Sequence, residues 1–395
     1  MGLRVYAQDI NPWPVWGLKT ALDEVSSADL RRAVDRFLAA VRQKASSSYR
    51  GECSSHGKSE ILNTFRVRVC RCKRCRRDLY LFPYSLITLA SRASNEQSGY
   101  FGCRKCGAVS CCKVNAARPR CHSCGHSLAN PRKALLVGKR IVCPHCQCSN
   151  ASEWKSSPRW KAVLVQRCCR IKGKELVHFD ADVGSDDAPR RHAQMPTALA
   201  RPIPDGRETK TLKRGGFRRW CDLYPPRQLR ALVKAAEICR DLRLSSALQN
   251  RLLLALAGAS EMPGFLCRWD RFHPKIFEAL ANHRFAVTGL AVESNVFASR
   301  GRGTLERRLN ASIRAAEWRE KIRPERVSDA ATIVCGNSER QLMCSGSVQL
   351  VVTDPPYFDS VQYGELSTLL LVWAEVVTGE TRRWQLDWKG EAVPN

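Results

Sequence analysis

The sequence predicts an α/β fold in which a parallel sheet is interrupted by a cysteine-rich insertion and joined to a helical segment. Short apolar runs end in a polar residue and lead into helical spacing, as in the βα units of parallel sheets. Four Cys-x-x-Cys pairs lie in one segment, and regular helical spacing follows them. With 395 residues, the chain is long enough for two or three domains.

The charge of the chain restricts its partners. A net charge of +28 and a pI near 9.8 favour a polyanionic partner, and nucleic acid is the first candidate. The alternative is a basic surface that is only solvated. No apolar run approaches the roughly 18 residues of a membrane span, and the amino terminus does not resemble a signal peptide. We therefore expect a cytoplasmic protein without a membrane segment.

The sequence of residues 1–45 predicts one βα unit, which begins with the second strand of the core. A short strand ends at Asp9, the turn contains Asn11, and a helix follows from about Val15 to Leu22. In dinucleotide-binding folds an acid at the end of the second strand binds ribose hydroxyls, and Asp9 has that position. A turn acid without any ligand explains Asp9 equally well. Helical spacing from Leu30 to Lys44 completes this part.

Residues 46–150 predict a zinc-ribbon insertion. Cys53 and His56 come first, and one Cys with one His is too few for a metal site. Each tetrahedral zinc ion takes two Cys-x-x-Cys knuckles, so four knuckles predict two structural zinc sites. Pairing of consecutive knuckles gives Cys72, Cys75, Cys103 and Cys106 for one site, and Cys121, Cys124, Cys143 and Cys146 for the other. An interleaved pairing and unligated thiols are the alternatives.

Basic side chains crowd these knuckles and suit phosphate contact, which carries no sequence preference by itself. They are Arg71, Lys73, Arg74, Arg76, Arg77, Arg104, Lys105 and Lys113.

Two further regions separate the insertion from the end of the chain. Residues 151–216 predict loops or a linker, because acidic and proline-rich stretches dominate them. Residues 217–328 predict a helical region that opens at Pro225 and Pro226. Arg227 fits a DNA contact and a structural role equally well. The stretch from Glu293 to Asn295 and the basic residues 300–326 fit either a DNA-facing surface or a solvated helix face.

Residues 329–395 contain the most specific chemical signal. Residues 331–338 are predicted to form a strand and a turn that contains Asn337, and a second, buried strand is predicted from Leu350 to Thr353. The second strand ends at Asp354, Pro355, Pro356 and Tyr357. The Asp354 carboxylate and the Pro355 carbonyl can accept both protons of an exocyclic amine, while the Tyr357 ring can stack on a planar base. An ordinary Pro-Pro turn is the alternative.

This motif resembles the Asp-Pro-Pro-Tyr motif of the amino-group DNA methyltransferases, in its adenine-N6 form. The stretch from Asp9 to Pro12 is similar to adenine-specific DNA methylases with an inserted zinc ribbon. The resemblance implies an incomplete Rossmann-like methyltransferase core, S-adenosylmethionine as methyl donor and a flipped adenine in DNA as acceptor. It implies that Asp354 and Pro355 bind the amine of the adenine and that Tyr357 stacks on the flipped base. It also implies cofactor contacts by Asp9, Asn11 and Asn337.

The resemblance is incomplete at both ends of the chain. The family's glycine-rich cofactor loop should precede Asp9, and only Met1, Gly2 and Leu3 come before the first strand. We therefore expect cofactor binding to need a companion chain that supplies this loop, unless the chain is a remnant. The alternatives are a non-catalytic zinc-dependent nucleic-acid-binding protein and a methyltransferase of RNA or a protein amide. In the last case Asn is more usual at position 354.

Overall fold

The computed structural model describes residues 4–91, 97–136, 140–151, 159–183, 195–322, 331–355 and 361–386. Within these ranges the chain is a mixed α/β structure with open sheets, as the sequence predicts at this coarse level. None of the helices in these ranges combines the length and the apolar character that a bilayer span requires.

The strands of the described ranges are, in chain order, β1 (Val5–Asp9), β2 (Arg50–Cys53), β3 (Gly57–Arg71), β4 (Asp78–Tyr80), β5 (Leu86–Leu89), β6 (Ser98–Gly102), β7 (Val109–Lys113), β8 (Arg140–Val142), β9 (Ser149–Ala151), β10 (Arg159–Ile171), β11 (Lys174–Asp180), β12 (Arg268–Asp270), β13 (Lys275–Phe277), β14 (Leu290–Ser294) and β15 (Ala331–Cys335). The helices are α1 (Pro12–Leu22), α2 (Ser27–Lys44), α3 (Thr197–Ala200), α4 (Thr209–Arg214), α5 (Pro226–Asp241), α6 (Ser246–Ala259), α7 (Leu305–Ile322) and α8 (Tyr363–Thr378).

A six-stranded antiparallel sheet is built around the long strand β3. One edge of β3 pairs with β10, which in turn pairs with β11. The other edge pairs with β2, β14 and β4 in succession. Residues 61–69 of β3 are all buried. Both faces of the strand are therefore covered, which explains why its sequence lacks the alternation of a half-exposed strand.

The helices form a layer whose apolar core continues onto this sheet. Trp16, Phe37 and Trp373 are almost fully buried in it. The indole N–H of Trp373 donates to the Tyr224 hydroxyl at 2.8 Å, and that hydroxyl donates to the Ser260 carbonyl at 2.6 Å. The polar tips of Trp373 and Tyr224 therefore have hydrogen-bond partners inside the core.

Helix α8 is fixed by its buried residue Glu365. The Glu365 carboxylate accepts the backbone N–H groups of Arg207, Glu208 and Thr209 at 2.7, 2.8 and 3.0 Å. The backbone comes this close because Gly206 has no side chain, and a Cβ there would clash with the carboxylate. These charge-assisted bonds attach α8 to the segment that begins α4.

Strands β1 and β15 form a separate two-stranded parallel sheet, with Val5 opposite Ala331 and Asp9 opposite Cys335. Both strands were predicted from the sequence and are confirmed. The N–H of Gly336 donates to the carbonyl of Asp9 at 3.0 Å and extends the pairing by one bond. The carboxyl ends of the two strands therefore meet at one edge.

The prediction of loops across residues 151–216 is wrong for β10 and β11. The strands are joined by a two-residue turn in which Lys172 and Gly173 have φ values of 47° and 78°. Positive φ at both positions is the type I′ pattern of tight hairpins. Acidic and proline-rich stretches lie near this hairpin, but the apolar run from Ala162 to Val165 is typical of a buried strand.

The prediction of a buried strand from Leu350 to Thr353 is also wrong. Leu350, Val351 and Val352 are 79%, 76% and 87% exposed, and no strand is formed there. β-Branched residues stabilise a strand through neighbours on the sheet surface. No strand of the described ranges pairs with this run, so the run remains exposed.

A buried ion network joins β3, β14 and α5. Glu293 is fully buried and accepts hydrogen bonds from the guanidinium groups of Arg66 and Arg227, each at 2.9 Å, and from the Tyr49 hydroxyl at 2.9 Å. Burial acts to raise the pKa of Glu293, but the two arginines lower it from its usual value near 4.5 to about 2.

Arg227 is 5% exposed and also donates to Thr64. Its role is therefore structural, and a DNA-facing surface at residues 293–295 is wrong because all three are buried.

We predict that Glu293→Gln lowers the free energy of unfolding by about 3 to 5 kcal/mol, because it leaves two buried guanidinium groups without their carboxylate. Because the pKa of Glu293 is lowered in the fold, this contribution is present at pH 7 and is lost only as the pH falls below about 4.5 toward 2. Urea unfolding at pH 7 with zinc present measures the effect.

The matched control is Glu317→Gln, which removes the exposed ion pair between Arg31 and Glu317. Its effect should stay below about 1 kcal/mol. Equal effects of the two substitutions would contradict a structural role for the buried network.

Candidate functional site

Two clusters of four cysteines are candidate metal sites in the described ranges. One contains Cys72, Cys75, Cys143 and Cys146, and the other contains Cys103, Cys106, Cys121 and Cys124. All eight cysteines predicted as ligands are therefore brought into clusters that could hold a metal ion. The predicted pairing of consecutive knuckles is wrong. The first knuckle pairs with the fourth, and the second and third pair inside that loop.

The sulfur positions match tetrahedral coordination. The distance between Sγ atoms is 3.7 Å for Cys72 and Cys146 and also for Cys75 and Cys143. In the other cluster the distances are 3.7 Å for Cys103 and Cys124 and 3.6 Å for Cys106 and Cys121. Zn–S bonds of about 2.3 Å in a tetrahedron place two sulfurs about 3.8 Å apart. The chain therefore holds both sets of thiols at the spacing that one central ion needs.

All four knuckles have the same backbone turn. The residue after the second cysteine donates its N–H to the carbonyl of the first, at 2.8 to 3.0 Å in every case. That residue has positive φ: 61° at Arg76, 75° at Gly107, 66° at Gly125 and 58° at Gln147. Positive φ turns the chain back so that both sulfurs point to one side, and glycine adopts it without strain.

Backbone donors favour the thiolate form at one cysteine of each cluster. The N–H of Cys75 is the main cause that lowers the pKa of Cys72 to about 6. Burial acts to raise the pKa of Cys121, but N–H groups of Cys124 and Ser123 lower it to about 7. Burial raises the pKa of Cys103. A central cation would stabilise four thiolates together in either cluster.

The pairing follows from the strands that carry the knuckles. The first knuckle joins β3 to β4 and the fourth joins β8 to β9, and Leu79, Leu81 and Ile141 form a small apolar core beneath them. The second knuckle joins β6 to β7 above a core that contains Leu86 and Phe101. Each cluster thus has its own core. We call the ribbon that contains Cys72, Cys75, Cys143 and Cys146 the outer ribbon. The inner ribbon contains Cys103, Cys106, Cys121 and Cys124 and lies in the sequence between the two knuckles of the outer one.

The two ribbons touch, and a polar shell surrounds the outer cluster. The side chain of Arg104 donates to the Val142 carbonyl at 3.3 Å, and His145 Nε2 lies 3.0 Å from the carbonyl of Lys105. Asn150 Nδ2 donates to the sulfur of Cys72 at 3.6 Å, and Asn150 Oδ1 accepts the N–H of Lys73 at 2.8 Å. Such contacts orient metal ligands.

The basic side chains of the first knuckle are all exposed: Arg71, Lys73, Arg74, Arg76 and Arg77. Lys113 is exposed as well, whereas Arg104 and Lys105 are half-buried. The outer ribbon therefore presents concentrated positive charge to solvent next to a rigid turn.

The parallel edge brings together the predicted cofactor residues. Asp9 ends β1 and is exposed, and Asn337 follows β15 on the neighbouring strand. The side chain of Gln8 donates to the Asn337 carbonyl at 2.7 Å, which binds the two strand ends to each other. The Asn337 side chain is engaged in its own turn, where it accepts the N–H of Glu339 at 3.0 Å.

Asn11 connects this edge to the helix after the Asp354 motif. Its side-chain oxygen accepts the N–H of Trp13 at 3.0 Å and caps α1. Its amide nitrogen donates to the Ser367 hydroxyl of α8 at 2.9 Å. Asn11 therefore holds α1 and α8 together at the carboxyl end of β1.

The predicted base pocket is only partly within the described ranges. Asp354 and Pro355 lie in exposed chain without regular structure, and Pro356 and Tyr357 lie outside the described residues. The described residues therefore do not show the four motif residues as a formed pocket.

Four further residues that share a cluster come from distant strands and were not predicted together. Cys53 and His56, which were predicted to be too few for a metal site, lie beside Cys169 and His178. Cys169 and His178 lie in the hairpin that was predicted as a loop. The sequence therefore showed only one half of this cluster, the Cys-x-x-His spacing of Cys53 and His56.

Comparison of the chain with protein-family models, with curated proteins and with solved structures gives no match. The cysteine clusters and the edge at Asp9 therefore carry the functional assignment.

The observed pairing predicts how zinc is lost from double variants. Cys75→Ala with Cys146→Ala damages one cluster and should remove one zinc ion per chain. Cys75→Ala with Cys106→Ala damages both clusters and should remove two. Native mass spectrometry after dialysis against a weak chelator counts the bound ions. Pairing of consecutive knuckles requires the reverse result, so the two double variants serve as controls for each other.

Proposed function

We propose that the chain is part of an S-adenosylmethionine-dependent DNA methyltransferase that modifies the N6 amine of a flipped adenine. In this proposal the two four-cysteine clusters hold zinc, and the ribbons they stabilise bind DNA. The two open strands β1 and β15 belong to a Rossmann-like core.

The meeting of Asp9 and Asn337 at one edge is the observation that carries the enzymatic part of this proposal. Ligands of open α/β sheets bind beyond the carboxyl ends of parallel strands. The exposed Asp9 carboxylate fits the hydroxyl groups of a ribose, and the turn at Asn337 offers polar groups beside it. The bond from Asn11 to Ser367 joins this edge to α8, the helix that follows the Asp354 motif.

The chemistry assigned to the motif is the activation of an amine. S-adenosylmethionine supplies an electrophilic methyl group when it is bound. The Asp354 carboxylate and the Pro355 carbonyl accept the two N–H bonds of the adenine amine, which draws its lone pair out of the ring. Tyr357 stacks on the flipped base and holds the amine in line. Asp354 then receives the proton that the amine loses.

We propose in addition that a companion chain pairs with the run from Leu350 to Val352 and completes the sheet. The apolar run from Leu350 to Val352 supports this idea because it is strongly exposed. Three adjacent exposed aliphatic side chains of high strand propensity suit a strand that pairs with another chain. Ordering that run would also bring Asp354 to the carboxyl end of a strand.

We predict that Asp354→Ala abolishes adenine methylation without reducing DNA binding, since only the amine contact is removed. The chain is expressed together with its flanking genes in a host without adenine methylation, and N6-methyladenine in DNA is measured by mass spectrometry. Expression of the chain alone should give no methylation, because the companion is missing.

Asp35→Ala serves as the matched control, since Asp35 is an exposed carboxylate on α2. It should leave methylation unchanged. Methylation that persists in Asp354→Ala would reject the assigned role, and an unmethylated genome with the intact gene set would favour a non-catalytic protein. Methylation by the chain alone would reject the companion.

A zinc-dependent nucleic-acid-binding protein without catalysis is the second candidate. The exposed basic side chains on the outer ribbon favour it. Their turn is held by a cluster of four cysteines, so the charge is presented on a rigid element. This candidate shares DNA binding with the first and differs from it in having no use for Asp354.

We predict that the triple variant Arg71→Ala, Lys73→Ala, Arg74→Ala weakens DNA binding and flattens its salt dependence. The slope of log K against log salt should fall by about 0.9 for each lost phosphate contact. Fluorescence anisotropy with duplex DNA at several salt concentrations measures both quantities. The control is Arg31→Ala, Arg32→Ala, Arg36→Ala, which removes the same charge from exposed positions on α2. Equal losses in the two variants would mean that net charge, not the ribbon, binds DNA.

A further inference from the structure

We propose that Cys53, His56, Cys169 and His178 form a third metal site that binds one zinc ion through two sulfur and two nitrogen ligands. The four ligand atoms lie within 4.8 Å of one another. The site is separate from both four-cysteine clusters, and it does not depend on the proposed methyl transfer or on DNA binding.

The distances in this cluster match those of a tetrahedral zinc ion. Cys53 Sγ lies 3.5 Å from His56 Nδ1 and 3.5 Å from His178 Nε2, and Cys169 Sγ lies 3.3 Å from His178 Nε2. Zn–S bonds of about 2.3 Å and Zn–N bonds of about 2.0 to 2.1 Å place sulfur and nitrogen about 3.5 Å apart in a tetrahedron. Two thiols with two imidazoles also form a donor set that binds zinc in preference to magnesium or calcium.

The segment from Cys53 to Gly57 repeats the turn of the four cysteine knuckles. His56 replaces the second cysteine at the same spacing, and Gly57 follows it with φ of 74°. Positive φ also marks the residue after the second cysteine in the other knuckles. Cys53 pairs with Gly57 across the β2–β3 hairpin. This knuckle therefore points both ligands to one side, as the others do.

The second pair of ligands comes from the β10–β11 hairpin. Cys169 lies on β10 opposite Ser59 of β3, and His178 lies on β11 opposite Arg167. Cys53 and Cys169 are 3% and 0% exposed, while His56 is exposed. An ion here would attach the β2–β3 hairpin to the β10–β11 hairpin at the end of the six-stranded sheet.

Hydrogen bonds between thiols and imidazoles do not account for this arrangement. Cys53 Sγ lies close to nitrogens of both histidines, although a thiol has one weak donor proton and is only a weak acceptor. His178 Nε2 has one position for a partner, yet it lies close to the sulfurs of Cys53 and Cys169. A two-centre hydrogen bond would use this nitrogen for one sulfur only. A central ion uses every one of these short approaches.

Native mass spectrometry of the full chain, after dialysis against a weak chelator, tests the site by counting zinc ions. We expect three ions per chain, and two for His178→Ala. His122→Ala is the matched control and should keep three, since His122 lies between Cys121 and Cys124 but belongs to none of the clusters found among the described residues. Two ions in the intact chain, or an unchanged count in His178→Ala, would overturn the proposal.

Substitutions at His56 separate metal binding from folding, because this side chain is exposed. His56→Ala should lose one ion to the chelator. His56→Cys creates a knuckle of the Cys-x-x-Cys type and should again hold three ions. A count of three ions in His56→Ala would exclude His56 as a ligand and overturn the proposed donor set. Neither count depends on methylation or DNA binding, so the proposed function and the third site fail independently.

Discussion

A buried carboxylate determines how the sheet and the helical layer are joined. Glu293 lies on β14 in the interior, where an unpaired charge would be strongly destabilising. Arg66 reaches it from β3 and Arg227 reaches it from the start of α5. The Arg227 guanidinium also lies 4.5 Å from the centre of the Tyr49 ring. Because each arginine needs the same carboxylate, β3, β14 and α5 have one arrangement that satisfies all three charges.

The same network shows why surface roles are hard to infer from basic residues in this sequence. In a chain with a net charge of +28, most arginines are solvated, and Arg227 fits a DNA contact as well as any other. Its buried role depends on Glu293, which is far away in the sequence. The fold brings the two residues together, because Arg227 reaches from α5 to both Glu293 on β14 and Thr64 on β3.

Local chemistry was predictable in this chain, and long-range pairing was not. The spacing of each knuckle fixes its turn, so the eight clustered cysteines could be predicted directly. The strands β1 and β15 could also be predicted from their own sequences. All four knuckles are alike, however, so spacing holds no information about which two share a core. Cys53 and His56 show the same limit, because their neighbours Cys169 and His178 follow more than a hundred residues later. The run at Leu350 has strand propensity, but propensity cannot supply the neighbouring strand that a sheet requires.

Strand β3 sets where the ribbons stand relative to the six-stranded sheet. It is 15 residues long, or about 50 Å at roughly 3.4 Å per residue. Cys53 and His56 precede it, its middle carries Arg66, and its far end enters the knuckle at Cys72. The outer ribbon is therefore a continuation of the sheet, not a unit on a loose linker. Tyr80 of β4 packs against Gly107 of the inner ribbon, where any side chain would clash with its ring. DNA bound by the basic knuckle would thus be held in a defined orientation to the sheet, because β3 runs without a break from its buried middle to that knuckle.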